Sequence, residues 1–235
     1  MKCNRKVYID YLRAISCLAV IMIHIFSTAR TDFINHTNFE EIISEVIINL
    51  FHFAVPIFFM ITGNLFLSKN KEYELKEFFK KYILKYILAI LSFGYIYAII
   101  EEVFNKNYSI SMPITALLNT IQGKTWDHMW YLYSLIGVML LIPILKVLLS
   151  KGEYYLKYLL VILIISSILV PFVGNIFGFK VGVDFIIASP YLTYSIIGYF
   201  LGNSKKEHNL LFSFLLVVST ASIVLSQIMP FLTNN

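Results

Sequence analysis

Apolar runs of bilayer-spanning length alternate with short polar stretches at roughly 8–28, 42–67, 82–104, 129–149, 155–173, 184–202 and 209–230. A spanning helix rises about 1.5 Å per residue and needs about 20 apolar residues to cross the hydrocarbon core, and these runs fit that length better than buried helices of a soluble domain. The pattern predicts an all-α fold, a polytopic transmembrane helix bundle of about seven spans. The polar stretch from Ser68 to Lys81 mixes both charge signs with helix-forming residues, and predicts an amphipathic surface helix leading into the third span. The stretch from Asn105 to Asp127 carries Pro113 among mixed apolar residues, and predicts a segment that re-enters the membrane or lies on it.

The first run breaks its own pattern. It holds Asp10, Arg13 and His24 inside an otherwise apolar segment. Charge at the centre of a spanning helix costs about 2.5–3.5 kcal/mol on insertion scales, so such groups usually face protein or a wet cavity. Arg13 and His24 are eleven residues apart, almost three whole turns, which places them on one face about 16 Å apart along the axis. Asp10 is three residues before Arg13, near enough to pair with it and orient the guanidinium. This helix is expected to form the inner wall of a site, with an imidazole suited to proton transfer near neutral pH. The plainer reading is that Arg13 snorkels to the headgroups and His24 packs against a neighbouring helix.

Lysine and arginine positions set the expected orientation. The amino terminus and the second, fourth and sixth loops hold fourteen of them, against four (Arg30, Lys106, Lys124 and Lys180) in the intervening loops. That alternation predicts a cytoplasmic amino terminus in a multi-pass protein of the cell membrane. Composition agrees, since 58% of the 235 residues are hydrophobic and only 14% charged. The net charge of +5 lies in short loops rather than on one face of a soluble fold, so it argues topology and no nucleic-acid partner. The first run lacks a small-residue cleavage site and is read as a retained anchor. Cys3 and Cys17 have neither metal-ligand spacing nor a plausible bridge. No phosphate-binding glycine loop, zinc pattern, Gly-x-Ser-x-Gly elbow or His-Glu-x-x-His helix occurs, and no metal is expected.

Three stretches carry a resemblance. Ile9 to Ile15, Ile-Asp-Tyr-Leu-Arg-Ala-Ile, followed by His24, resembles the opening of membrane acyltransferase family 3, the O-acyltransferases of cell-surface glycans. That family's mark is an arginine, ten intervening residues and a histidine in the first span, which Arg13 and His24 match. Val55-Pro56-Ile57-Phe58-Phe59-Met60-Ile61-Thr62-Gly63 resembles its segment of proline, paired phenylalanines, a small hydroxyl residue and glycine, with Thr62 where serine is commoner. Pro56 and Gly63 also predict a kinked helix beside the first span. His128-Met129-Trp130-Tyr131-Leu132-Tyr133, running on to Leu141–Leu145, resembles the histidine, tryptophan, tyrosine and leucine stretch of members acting on surface polysaccharides. Aromatic faces there suit sugar stacking, although aromatics at a membrane interface also serve as anchors. Gly198 and Gly202, with Tyr199-Phe200-Leu201 between, look similar too, and their spacing suits close helix packing. His52 lies in the second span, where a packing role is expected.

The resemblance implies a single integral membrane acyltransferase domain over residues 1–235, shortened at its carboxyl end, because members usually have about ten spans. It implies transfer of an acyl group, most often acetyl, from cytoplasmic acyl-CoA to a hydroxyl of a cell-surface or lipid-linked glycan. His24 and Arg13 would be catalytic, with Arg13 also holding the phosphate or pantetheine end of the acyl-CoA donor. Asp10, His128, Trp130 and Tyr131 would bind substrate, and the lipid bilayer, the glycan acceptor and acyl-CoA would be the partners. The same resemblance extends to the membrane portions of vancomycin-resistance serine racemases, which implies an alternative, a transport or uptake module.

Overall fold

The computed structural model describes residues 7–32, 38–68, 73–124, 129–172 and 189–204, and helix is the regular structure throughout them. The fold is an all-α helical bundle. Five helices among the described residues are long and apolar enough to cross a membrane: Val7–Ala29, Ile43–Leu67, Leu75–Phe104, Trp130–Lys151 and Glu153–Phe172. The predicted seventh span lies outside the described residues, as do the first residues of the sixth. The chain divides into two compact units, one of Met1–Asn64 with Ile197–Asn235, the other of Leu65–Ile196.

In the first unit, α1 (Val7–Asp32) runs unbroken and packs on α2 (Asn38–Phe51). The predicted second span is two helices, α2 and α3 (Ala54–Leu67), parted at His52 and Phe53. Pro56 is the cause. It has no N–H to donate to His52, four residues earlier, and its ring crowds that carbonyl. The His52 N–H turns instead to the Asn49 carbonyl at 3.3 Å, and the ladder restarts where the Ile57 N–H meets the Phe53 carbonyl at 3.2 Å. The Ile48 carbonyl thereby released is met by the His52 ring, whose Nδ1 lies 2.8 Å away. Within a bilayer irregular backbone persists only where its polar groups find partners, and His52 supplies one. The kink predicted over Pro56–Gly63 therefore falls one turn earlier, and His52, expected to pack, is exposed and completes the break.

The last turns of α8 (Pro190–Asn203) belong to this unit as well. Gly198 lies directly on the Met60 backbone and Gly202 on the Asn64 side chain, so the four-residue glycine spacing is a close helix contact as predicted.

The second unit is built on α4 (Leu75–Phe104), α5 (Met112–Ile121), α6 (Trp130–Lys151) and α7 (Glu153–Phe172). Helix α6 buries Leu135, Val138, Met139, Ile142 and Leu145, and packs on α7 and on the Phe79–Ile83 turn of α4. Gly152 links α6 to α7 at φ 141°, a conformation that favours glycine. The predicted surface helix over 68–81 is not what forms. Tyr73 and Glu74 are not helical, residues 69–72 lie outside the described ones, and helix starts at Leu75 as the first turn of α4. The reason is packing. The rings of Phe66, Tyr73, Phe78 and Tyr82 cluster with centroids 4.8–6.4 Å apart, and the Tyr73 hydroxyl donates to the Phe66 carbonyl at 3.2 Å. Burial pushes the Tyr73 hydroxyl up to about 12, with Tyr82 adding to the shift.

Candidate functional site

Because α1 is continuous from Val7 to Asp32, eleven residues at about 100° each carry His24 about 20° past three full turns from Arg13. The two side chains share one side of the helix, as the spacing predicted. Arg13 Nη1 lies 3.8 Å from Asp10 Oδ1, so the expected pair forms. That separation is an ionic contact rather than a hydrogen bond, and leaves guanidinium donors available.

The expectation of an inner wall needs correction. The residues that α1 buries are Ile9, Ser16 and Ala19, whereas Arg13 and His24 are exposed. On the helical wheel they flank that buried seam, about 60° and 80° from Ser16, and the greasy side of Tyr11, Ile15, Leu18 and Ile25 faces the other way. The polar pair therefore edges the packed seam. Ser16 itself, one turn beyond Arg13, is fully buried and its hydroxyl has no hydrogen-bond partner among the described residues. Helical hydroxyls elsewhere, such as Thr62 to the Phe58 carbonyl at 2.9 Å and Thr120 to the Ala116 carbonyl at 2.8 Å, satisfy themselves on the preceding turn. Sequence reasoning missed Ser16, since nothing local marks it apart from those others. It also missed the tie at the Val7 end of α1, where Asn64 Nδ2 donates to the Tyr8 hydroxyl at 3.2 Å. Asn64 is buried, and this bond holds α1 to α3 five residues before Arg13.

Thr62, which stands in the small-hydroxyl position of the second motif, has its hydroxyl committed to its own helix. That segment is explained by the helix break and by packing, with Phe59, Ile61 and Gly63 buried.

The second unit holds the aromatic end of α6. Trp130 is 41% exposed and its ring lies 5.5 Å from Tyr191 at 36° and 6.4 Å from Tyr131 at 82°. The structure thus joins Trp130 and Tyr131, and adds Tyr191 from the first turn of α8, which no motif flagged. His128 lies outside the described residues. Tyr133 turns elsewhere, its hydroxyl donating to the Thr120 carbonyl at the end of α5. Among the described residues no three His, Cys, Asp or Glu side chains come close enough to hold a metal ion.

An all-helical bundle with several spanning helices and ionisable groups in its first span defines a multi-pass membrane protein. The chain belongs to acyltransferase family 3, whose acyltransferase-domain model matches residues 6–234. The chain is also similar to a protein of Enterococcus faecalis named amino-acid racemase, 31% identical over 148 residues. That match takes in 59% of this chain and 19% of the relative, so the chain spans about a fifth of the relative's length. No solved structure matches this chain.

Proposed function

We propose that this protein is an O-acyltransferase of the cell membrane that moves an acyl group, acetyl being the simplest, from acyl-CoA on the cytoplasmic side to a hydroxyl of a cell-surface or lipid-linked glycan. The observation that carries the reading is the arginine and histidine on one side of α1, in a chain that the family model matches almost end to end. His24 takes the proton of the acceptor hydroxyl as its oxygen attacks the thioester carbonyl carbon. The carbon–sulfur bond then breaks, and the departing thiolate recovers the proton from the imidazolium. Relay of the acyl group through the His24 ring is the other route consistent with these groups.

Arg13 binds phosphate or the pantetheine end of the donor, for which a planar, permanently charged guanidinium is well suited. Its 3.8 Å spacing from Asp10 supports this role, since donors remain for a ligand, and Asp10 keeps the fork in place. His128, Trp130 and Tyr131 bind the acceptor, and Tyr191 widens the aromatic surface available to a pyranose ring. The lysine alternation supports a cytoplasmic amino terminus, which puts the Arg13 end of α1 on the side where acyl-CoA resides.

The rival reading, a transport or uptake module, gains nothing from the racemase-named relative, because that name describes a protein of which this chain matches a fifth. The test is mass spectrometry of surface glycans from cells carrying the wild-type protein, the His24→Ala variant or no protein. Loss of acylation by about a hundredfold or more in His24→Ala, with the protein still inserted, is expected. Glycans unchanged by the protein, together with altered solute uptake, would overturn the proposal in favour of the transporter.

A further inference from the structure

Helix α2 carries none of the three motifs, yet its polar groups are ordered. Glu45, Asn49 and His52 follow one another at intervals of four and three residues, the spacing that keeps side chains on one side of a helix. With Glu45 as reference, Asn49 lies about 40° to one side and His52, in the turn that ends α2, about 20° to the other. Leu50 and Ile43 lie about 140° and 160° away. These two are 51% and 39% exposed and mark the lipid side of α2. The three polar groups therefore turn away from lipid and towards α1, on which α2 packs. Polar side chains within a span are costly against hydrocarbon, which favours this bearing.

Their depth follows from the tie between Asn64 and Tyr8, which sets the register between α1 and the antiparallel run of α3 and α2. From Tyr8 to His24 is sixteen residues, about 24 Å, and from Asn64 back to Ile48 is sixteen as well. His24 is therefore level with Ile48 to within about one turn. The His52 ring reaches back to this level, because its Nδ1 lies 2.8 Å from the Ile48 carbonyl. Glu45 is two residues inside the start of the span at Ile43, and His52 is about 10 Å deeper. One polar side thus runs from the rim of the membrane down to the level of His24.

The chemistry of the three groups selects a ligand. A carbonyl oxygen only accepts, so His52 Nδ1 carries the hydrogen of that bond, and in the neutral ring Nε2 holds the lone pair. The exposed ring thus offers an acceptor, Glu45 offers carboxylate oxygens, and the Asn49 amide both donates and accepts. Hydroxyl groups, which donate and accept in turn, match this set. Phosphate does not, since no lysine or arginine lies between Arg30 and Lys69 and Glu45 repels an anion. The side suits a neutral polyhydroxyl group and is unsuited to the phosphates of acyl-CoA.

We propose that Glu45, Asn49 and His52 form a subsite for the acceptor sugar, holding hydroxyls beside the one that reacts and so keeping the ring at the level of His24. The inference rests on the proposed O-acyl transfer and adds to it a binding element on α2.

The full-length protein is reconstituted in phospholipid nanodiscs with radiolabelled acetyl-CoA as donor. The acceptor is surface glycan purified from cells that lack the protein. His52→Asn keeps an amide N–H for the Ile48 carbonyl and removes the Nε2 acceptor, so it separates sugar binding from completion of the helix break. Glu45→Gln and Asn49→Ala probe the other two positions, so that loss of one variant leaves the others. Expected for each is an acceptor KM raised about tenfold, with the donor KM and the thermal midpoint as in wild type. Acetyl transfer by wild type with an unchanged acceptor KM in the variants would overturn the subsite and leave the proposed function standing, as would a rise in donor KM instead. No acetyl transfer by wild type would overturn the proposed function and the subsite together.

Discussion

Replacing Gly198 with alanine adds one methyl group at the point where α8 and α3 approach most closely. A Cβ built there falls on the backbone carbonyl and Cα of Met60, inside van der Waals contact, and neither atom can rotate out of the way. Relief requires that one helix move outward, which also loosens the neighbouring contacts of buried Phe59 and Tyr199. Overpacking of this kind typically costs about 1–3 kcal/mol, and a collision with backbone belongs at the upper end, so about 3 kcal/mol is expected, roughly a hundredfold in the folded ratio. Gly202→Ala offers an internal comparison. The atoms nearest its Cβ belong to the end of the Asn64 side chain, which can turn away at the cost of its bond to Tyr8, worth about 0.5–1.5 kcal/mol. Thermal unfolding in one detergent, followed by tryptophan fluorescence and by size-exclusion recovery, should rank wild type above Gly202→Ala and Gly202→Ala above Gly198→Ala. Equal stability of Gly198→Ala and wild type would refute the close contact between these helices, and the reverse ranking would refute the distinction between backbone and side-chain collision.

Two more outcomes are expected. Arg13→Lys keeps the charge but loses the planar fork, so the donor KM should rise about tenfold while the acceptor KM stays the same; an unchanged donor KM in an acyl-transfer assay would count against the phosphate role. The Tyr73 hydroxyl, held at about 12 in the fold against an ordinary value of 10.0, contributes stability that is complete below pH 10 and is lost as pH rises towards 12. Wild type should therefore lose more thermal stability than Tyr73→Phe between pH 9 and pH 11.5, and parallel losses would remove Tyr73 from the alkaline transition.

Much of the fold could be read from the chain because helices in lipid must satisfy every backbone group within the segment, which ties span length and side-chain bearing to sequence alone. The shared bearing of Arg13 and His24, the Asp10 contact and the close approach at Gly198 and Gly202 all followed from spacing within one helix. A break caused by Pro56 also followed, although its place one turn earlier depended on which carbonyl the proline crowds.

Tertiary structure alone decided which neighbours meet. In water, an apolar stripe announces the buried side of a helix. In lipid, both the packed side and the lipid side are apolar, so Ser16 in the seam of α1, and Arg13 at its edge, could not be told from the hydrophobic pattern. Tyr191 reached Trp130 across sixty-one residues of chain, Tyr73 left the predicted surface helix for an aromatic cluster, and α5 turned back onto Gly94. Local periodicity fixes how each rod is built and where its polar groups point, but the pairing of one greasy rod with another rests on shape and close packing between residues far apart in the chain.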